Sequence, residues 1–75
     1  MAMRLVTLKV LPHNFAAAPP FVVDNGWRPK HVPILETIPV EADVIAAVIP
    51  GRGGMRVVVY NREDFAVTVR VDAEG

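Results

Sequence analysis

The sequence predicts an all-β protein, a small sandwich or barrel of about five to seven short strands with a Pro-rich extended arm. Three observations predict it. Residues 55–71 alternate apolar and polar side chains with a period of two. Apolar runs elsewhere are short, and Pro- and Gly-rich connections join them. No heptad, repeat or low-complexity tract competes with that reading. Seventy-five residues make one domain, with no room for a second core.

In chain order, "MRLVTLKVL" (3–11) places Val6, Leu8 and Val10 on one face of a first strand, with Thr7 and Lys9 on the other. Pro12 stops it. Six of the seven prolines then fall in 12–39, a segment that also carries Phe15, Phe21, Val22, Val23, Trp27, Val32, Ile34 and Leu35. Proline lacks an amide proton and fixes φ, so a helix or central strand is excluded here. The large apolar residues in turn argue against a disordered linker, which leaves an extended strap packed on a surface. The Asn-Gly pair in "DNGW" (24–27) suits a tight hairpin turn.

"HVPILETIPVEADVIAAVI" (31–49) reads as two short strands, near 32–38 and 43–49. Alanine also tolerates a helical turn in "DVIAAVI", but the β-branched residues and the Pro-Gly that follows favour strand. "PGRGG" (50–54) is a glycine-rich turn rather than a phosphate loop, because a strand, "MRVVVY", and not a helix follows it. Met55, Val57 and Val59 share one face of that strand. After "NRED" (61–64), Phe65, Val67, Val69 and Val71 share one face of the last, and a type I turn hairpin is expected between the two. Strand 3–11, strap 12–39 and a hairpin-rich core 40–75 then form a single β domain.

Composition bears on function. Hydrophobic residues make up 52% of the chain and charged ones 21%. A body this small has much surface for its volume, so the apolar excess points to association with itself or with a larger surface. The alternative is a well-filled monomeric core with scattered exposed Val and Ala. Eight basic and eight acidic residues cancel, leaving no general field to gather nucleic acid or anionic membrane. Lys9, His13 and Asn14 interrupt what would imitate a cleaved signal, and the longest apolar run, 44–49, is far too short to span a bilayer. The expectation is a soluble protein.

No catalytic residue is expected. The chain has neither Cys nor Ser, and its three threonines, Thr7, Thr37 and Thr68, have no base adjacent in sequence. His13 and His31 lack a second ligand at metal-binding spacing, and Glu63 and Asp64 sit in a turn where solvation keeps carboxylates ordinary. No metal and no cofactor is expected. Arg52, Arg56, Arg62 and Arg70 with Tyr60 outline a face of the kind that oligonucleotide-binding barrels use, but no net positive charge supports backbone contacts. Nucleic acid is therefore disfavoured. The residues expected to meet a partner are in the strap: Phe21, Trp27, Arg28, Val32 and Ile34. Trp and Arg are typical interface anchors. Alternatively, Phe21 and Trp27 cap the open end of the core.

The stretch "VEADVIAAVIPGRGGMRVVVYNREDFAVTVRV" (40–71) resembles a pattern in small structural proteins of tailed bacteriophages. An apolar strand leads to a Pro/Gly/Arg turn, then a strand ending in Asn, a second turn and a Val/Thr-rich strand. The resemblance implies a β-sandwich or barrel module that decorates or cements capsids, or belongs to tail or fibre assemblies. It carries over no functional residue. It further implies a virion location after assembly in the host cytoplasm, a major capsid protein or other virion protein as partner, and a homo-oligomer, of which a trimer is one form. A ligand- or nucleic-acid-binding β module of a cellular complex is the alternative.

Overall fold

A computed structural model describes residues 5–20 and 34–72. Over these the chain forms β1 (Leu5–Val10), β2 (Phe15–Ala17), β3 (Ile34–Ile38), β4 (Val44–Gly51), β5 (Gly54–Asn61) and β6 (Val67–Asp72). All pairings are antiparallel. The strands make two three-stranded sheets, sheet I in the order β1-β6-β3 and sheet II in the order β2-β5-β4. This is the small all-β sandwich that the alternation predicts, and "DVIAAVI" is strand rather than helical turn.

The core is what the period of two requires. Leu8, Val10, Val67, Val69 and Val71 point inward from sheet I, Val57 and Val59 from sheet II, and Ala18 closes one side. Val6, Ala16, Val44, Ala46, Val48 and Met55 pack around them. Among the described residues, every fully buried large side chain is a valine except one, Asn61. Burying each valine contributes roughly 1.5–3 kcal/mol. Small inward residues on sheet II (Ala16, Ala18 and Ala46) let the sheets approach closely, as face-to-face packing demands.

The connection between β5 and β6 differs from expectation. The two strands do not form a hairpin: β5 pairs with β2 and β4, whereas β6 pairs with β1 and β3. Residues 62–66 arch from one sheet to the other. Alternation fixes which side chains face the core, and it is satisfied equally by neighbours in one sheet or by strands facing each other across the core. The arch is decided by Asn61. Its Nδ2 donates to the carbonyl oxygens of Val10 (3.0 Å), Leu11 (3.2 Å) and Phe65 (2.7 Å), while its Oδ1 accepts from the Glu63 N–H (2.8 Å). Its backbone N–H donates to the Asn14 carbonyl at 2.9 Å. The buried amide thus satisfies backbone groups of two crossings that no ladder reaches. Phe65, expected on the inward face, precedes β6 within this arch and is exposed.

Residues 11–14 make a second crossing, from β1 to β2, and 39–43 a third, from β3 to β4. Pairing of Val10 with Val67, Ile38 with Thr68, Phe15 with Tyr60 and Val44 with Asn61 puts all three crossings at one end of the sandwich. Polar contacts bind them together there. His13 Nε2 lies 2.6 Å from Asp64 Oδ1, Arg62 Nε lies 3.3 Å from Asp43 Oδ2, and the Asp43 N–H donates to Glu63 Oε2 at 2.8 Å. At the other end, Gly51 pairs with Gly54, so the expected glycine turn is a two-residue β4–β5 hairpin loop. Gly53 takes φ +89°, in the left-handed region that favours glycine.

The strap is partly sheet. Its residues 15–17 are β2 and its last residues, 34–38, are β3, one strand in each sheet. The hairpin expected around 24–27 lies outside the described residues.

Candidate interaction surface

The two sheets present different outer faces. On sheet I, Leu5 sits beside Asp72, Thr7 beside Arg70 and Glu36, and Lys9 beside Thr68 and Ile38. Every row includes a polar or charged side chain, and Arg70 Nη1 bonds Glu36 Oε1 at 3.1 Å.

On sheet II, Phe15, Tyr60 and Ile45 form one row, and Ala17, Val58 and Ala47 the next. Ile49 and Arg56 form a third. Phe15 is 67% exposed, Ile45 51% and Ile49 47%. The Phe15 and Tyr60 rings are 4.7 Å apart between centroids and tilted by 50°, a geometry that aromatic pairs favour. Arg56 is the one charged residue in these rows. A strand that is apolar at both parities, as β4 is, ordinarily has both faces covered. Contiguous apolar patches on exposed surfaces are, in general, the places where partners dock.

Toward the hairpin end this face runs into a groove of about 320 Å³ lined by Ile49, Pro50, Arg52, Arg56 and Val58 together with Gly51 and Gly54. Neither Arg52 nor Arg56 makes an ion pair among the described residues. Arg62 and Arg70 are each held by a carboxylate, so the four arginines grouped in the sequence reading are split between two engaged and two available. Tyr60 packs against Phe15 instead of standing alone as a stacking platform.

Of the strap residues expected to meet a partner, Phe21, Trp27, Arg28 and Val32 lie outside the described residues. Ile34 is in β3, opposite Val71 in sheet I, and is not part of the sheet II face. That face is built instead from Phe15, Ile45, Ile49, Val58 and Tyr60. The signal for it was present in "VIAAVI" and in Val58 and Tyr60 on the nominally polar side of β5.

Chemistry is sparse. Among the described residues, no group of three or more His, Asp or Glu is placed to hold a metal ion. His13 and Asp64 form an exposed pair at the surface of the crossings. No described helix is long and apolar enough to cross a membrane. Comparisons with protein-family models, curated proteins and solved structures found no match.

Proposed function

We propose that this is a non-enzymatic structural protein of a virus particle, a capsid decoration or cement protein that stabilises the shell by adhering across capsid subunits. The observation that carries the reading is the apolar outer face of sheet II, with its Phe15–Tyr60–Ile45 row. A largely apolar sheet face loses free energy when covered, by roughly 25 cal/mol for each Å² of apolar area removed from water. Arg52 and Arg56 at one end of the face suit carboxylates on the covering surface, since the guanidinium fork binds them bidentately. The bacteriophage pattern over residues 40–71 supports a capsid as that surface and the virion as the location.

The reading has a direct test. Purified protein is added to capsids that lack it, and the mixture is sedimented. Co-sedimentation, with capsids that then resist higher temperature, is the expected result. A double variant, Phe15→Glu with Ile45→Glu, is expected to stay in the supernatant. Failure of the unaltered protein to sediment with capsids removes the reading.

A further inference from the structure

Among the described residues four strands lie at sheet edges, β1 and β3 in sheet I and β2 and β4 in sheet II. An edge strand offers a row of unpaired backbone donors and acceptors to any other chain, and proteins blunt such rows with charge, proline, bulges or short length. Three of the four edges carry such a device. β1 carries Lys9. β3 carries Glu36, and its register shifts between Ile34 and Glu36. β2 is three residues long and runs on through Ala18 into Pro19 and Pro20.

β4 is different. Its eight residues, "VIAAVIPG", include no charged side chain, and its register with β5 is unbroken from Val44 to Gly51. Pro50, near the hairpin loop, is its one obstruction. We propose that β4 pairs antiparallel with β4 of a second copy, giving a two-fold dimer with one continuous sheet ordered β2-β5-β4-β4-β5-β2.

The sequence of β4 fits a copy of itself. Residues opposite each other in an antiparallel pair share a face, so the two-fold axis falls on a residue and not between two. Centred on Ala47, the pairing sets Ile45 against Ile49 of the second copy, and Ile49 against its Ile45, with the two small alanines between them. On the inner face Ala46 meets Val48. Large side chains thus flank a small centre, and no like charges meet within the paired strands. Centring on Ala46 instead would bring Ile49 opposite Asp43, an apolar side chain against a carboxylate. The Ala47 register also joins the two apolar outer faces into one surface of double length.

A strand pair over 44–50 is about 23 Å long. Such a contact belongs at the small end of protein interfaces, below about 1,200 Å², so dimerisation is expected with a Kd of order 1–100 μM. The inference goes beyond the adhesive reading above and holds or fails without it, because purified protein alone reports the outcome.

The test is sedimentation equilibrium from about 1 μM to about 1 mM, a span chosen to bracket that affinity. The unaltered protein is expected to pass from monomer to dimer. Ala47→Lys and Ala47→Glu each set like charges against each other at the axis, and each variant alone is expected to remain monomeric. Mixed in equal amounts they are expected to form a mixed dimer, which also shows that both are folded. Amide exchange in 44–49 should slow as the unaltered protein dimerises. Overturning results are an unaltered protein that stays monomeric throughout, a Kd that moves less than about threefold in both variants, or a mixture that does not dimerise.

Discussion

The outer faces of the two sheets come from one chain with one alternation rule, and they were written differently. Sheet I sets Thr7, Arg70 and Glu36 in one row and Lys9, Thr68 and Ile38 in the next, so each row holds groups that water can satisfy. Sheet II sets Phe15, Tyr60 and Ile45 in one row and three small apolar residues in the next. The inner faces of both are ordinary valine core. The difference lies in arrangement: Leu5, Leu35 and Ile38 are exposed on the strands of sheet I among polar and charged neighbours, whereas Phe15, Ile45 and Ile49 of sheet II stand in rows whose one charged residue is Arg56.

The sharpest way to break the comparison is to remove what holds the two sheets in register. Asn61→Ala leaves the carbonyls of Val10, Leu11 and Phe65 without their buried donor. It should lower the unfolding free energy by about 2–4 kcal/mol, read from urea denaturation, because unsatisfied buried groups cost roughly 1–3 kcal/mol each. Both outer faces would then be lost together.

Charging the faces one at a time separates them. Phe15→Glu with Ile45→Glu should weaken adhesion by about a hundredfold, measured by co-sedimentation, since it corresponds to about 2.7 kcal/mol of lost burial. The urea midpoint should hardly move, because both side chains are half exposed or more. Thr7→Lys on sheet I should leave adhesion within about twofold, as scattered surface changes typically do.

Smaller effects refine the picture. Gly53→Ala keeps the hairpin but forces a side chain into φ +89°, at a cost of about 1 kcal/mol in urea denaturation. Among the described residues the added Cβ would meet only Pro20 Cγ, at 3.7 Å, so the effect there is backbone strain rather than a clash. Arg70→Ala breaks a half-exposed pair with Glu36 and should cost less than about 1 kcal/mol, decreasing further in salt.

Strand positions were legible because side-chain periodicity records burial. "MRVVVY" and "AVTVRV" showed their inward valines directly, and "GRGG" showed its turn. The β4–β5 pairing was legible from its glycine turn, but the partners of β6 were not, because alternation is blind to whether the next strand lies alongside or across the core. The distinguishing residue, Asn61, looks in sequence like any asparagine that opens a turn. Its role depends on carbonyls of residues 10 and 11, which the chain brings near only on folding. The candidate surface was missed for a related reason. Phe15, Ile45 and Tyr60 are far apart in sequence and become one row only through the register of sheet II.

The hairpin β4–β5 is the one strand pair among the described residues made by neighbours in sequence; β1 must wait for β6, more than fifty residues further along the chain. On a ribosome, β1 would leave the exit tunnel well before β6, its partner in sheet I, had been made. Closing such distant contacts is slow by the standards of small proteins. The valines of the core therefore spend their riskiest interval in water, and a cell making this chain in quantity has reason to keep a chaperone at hand.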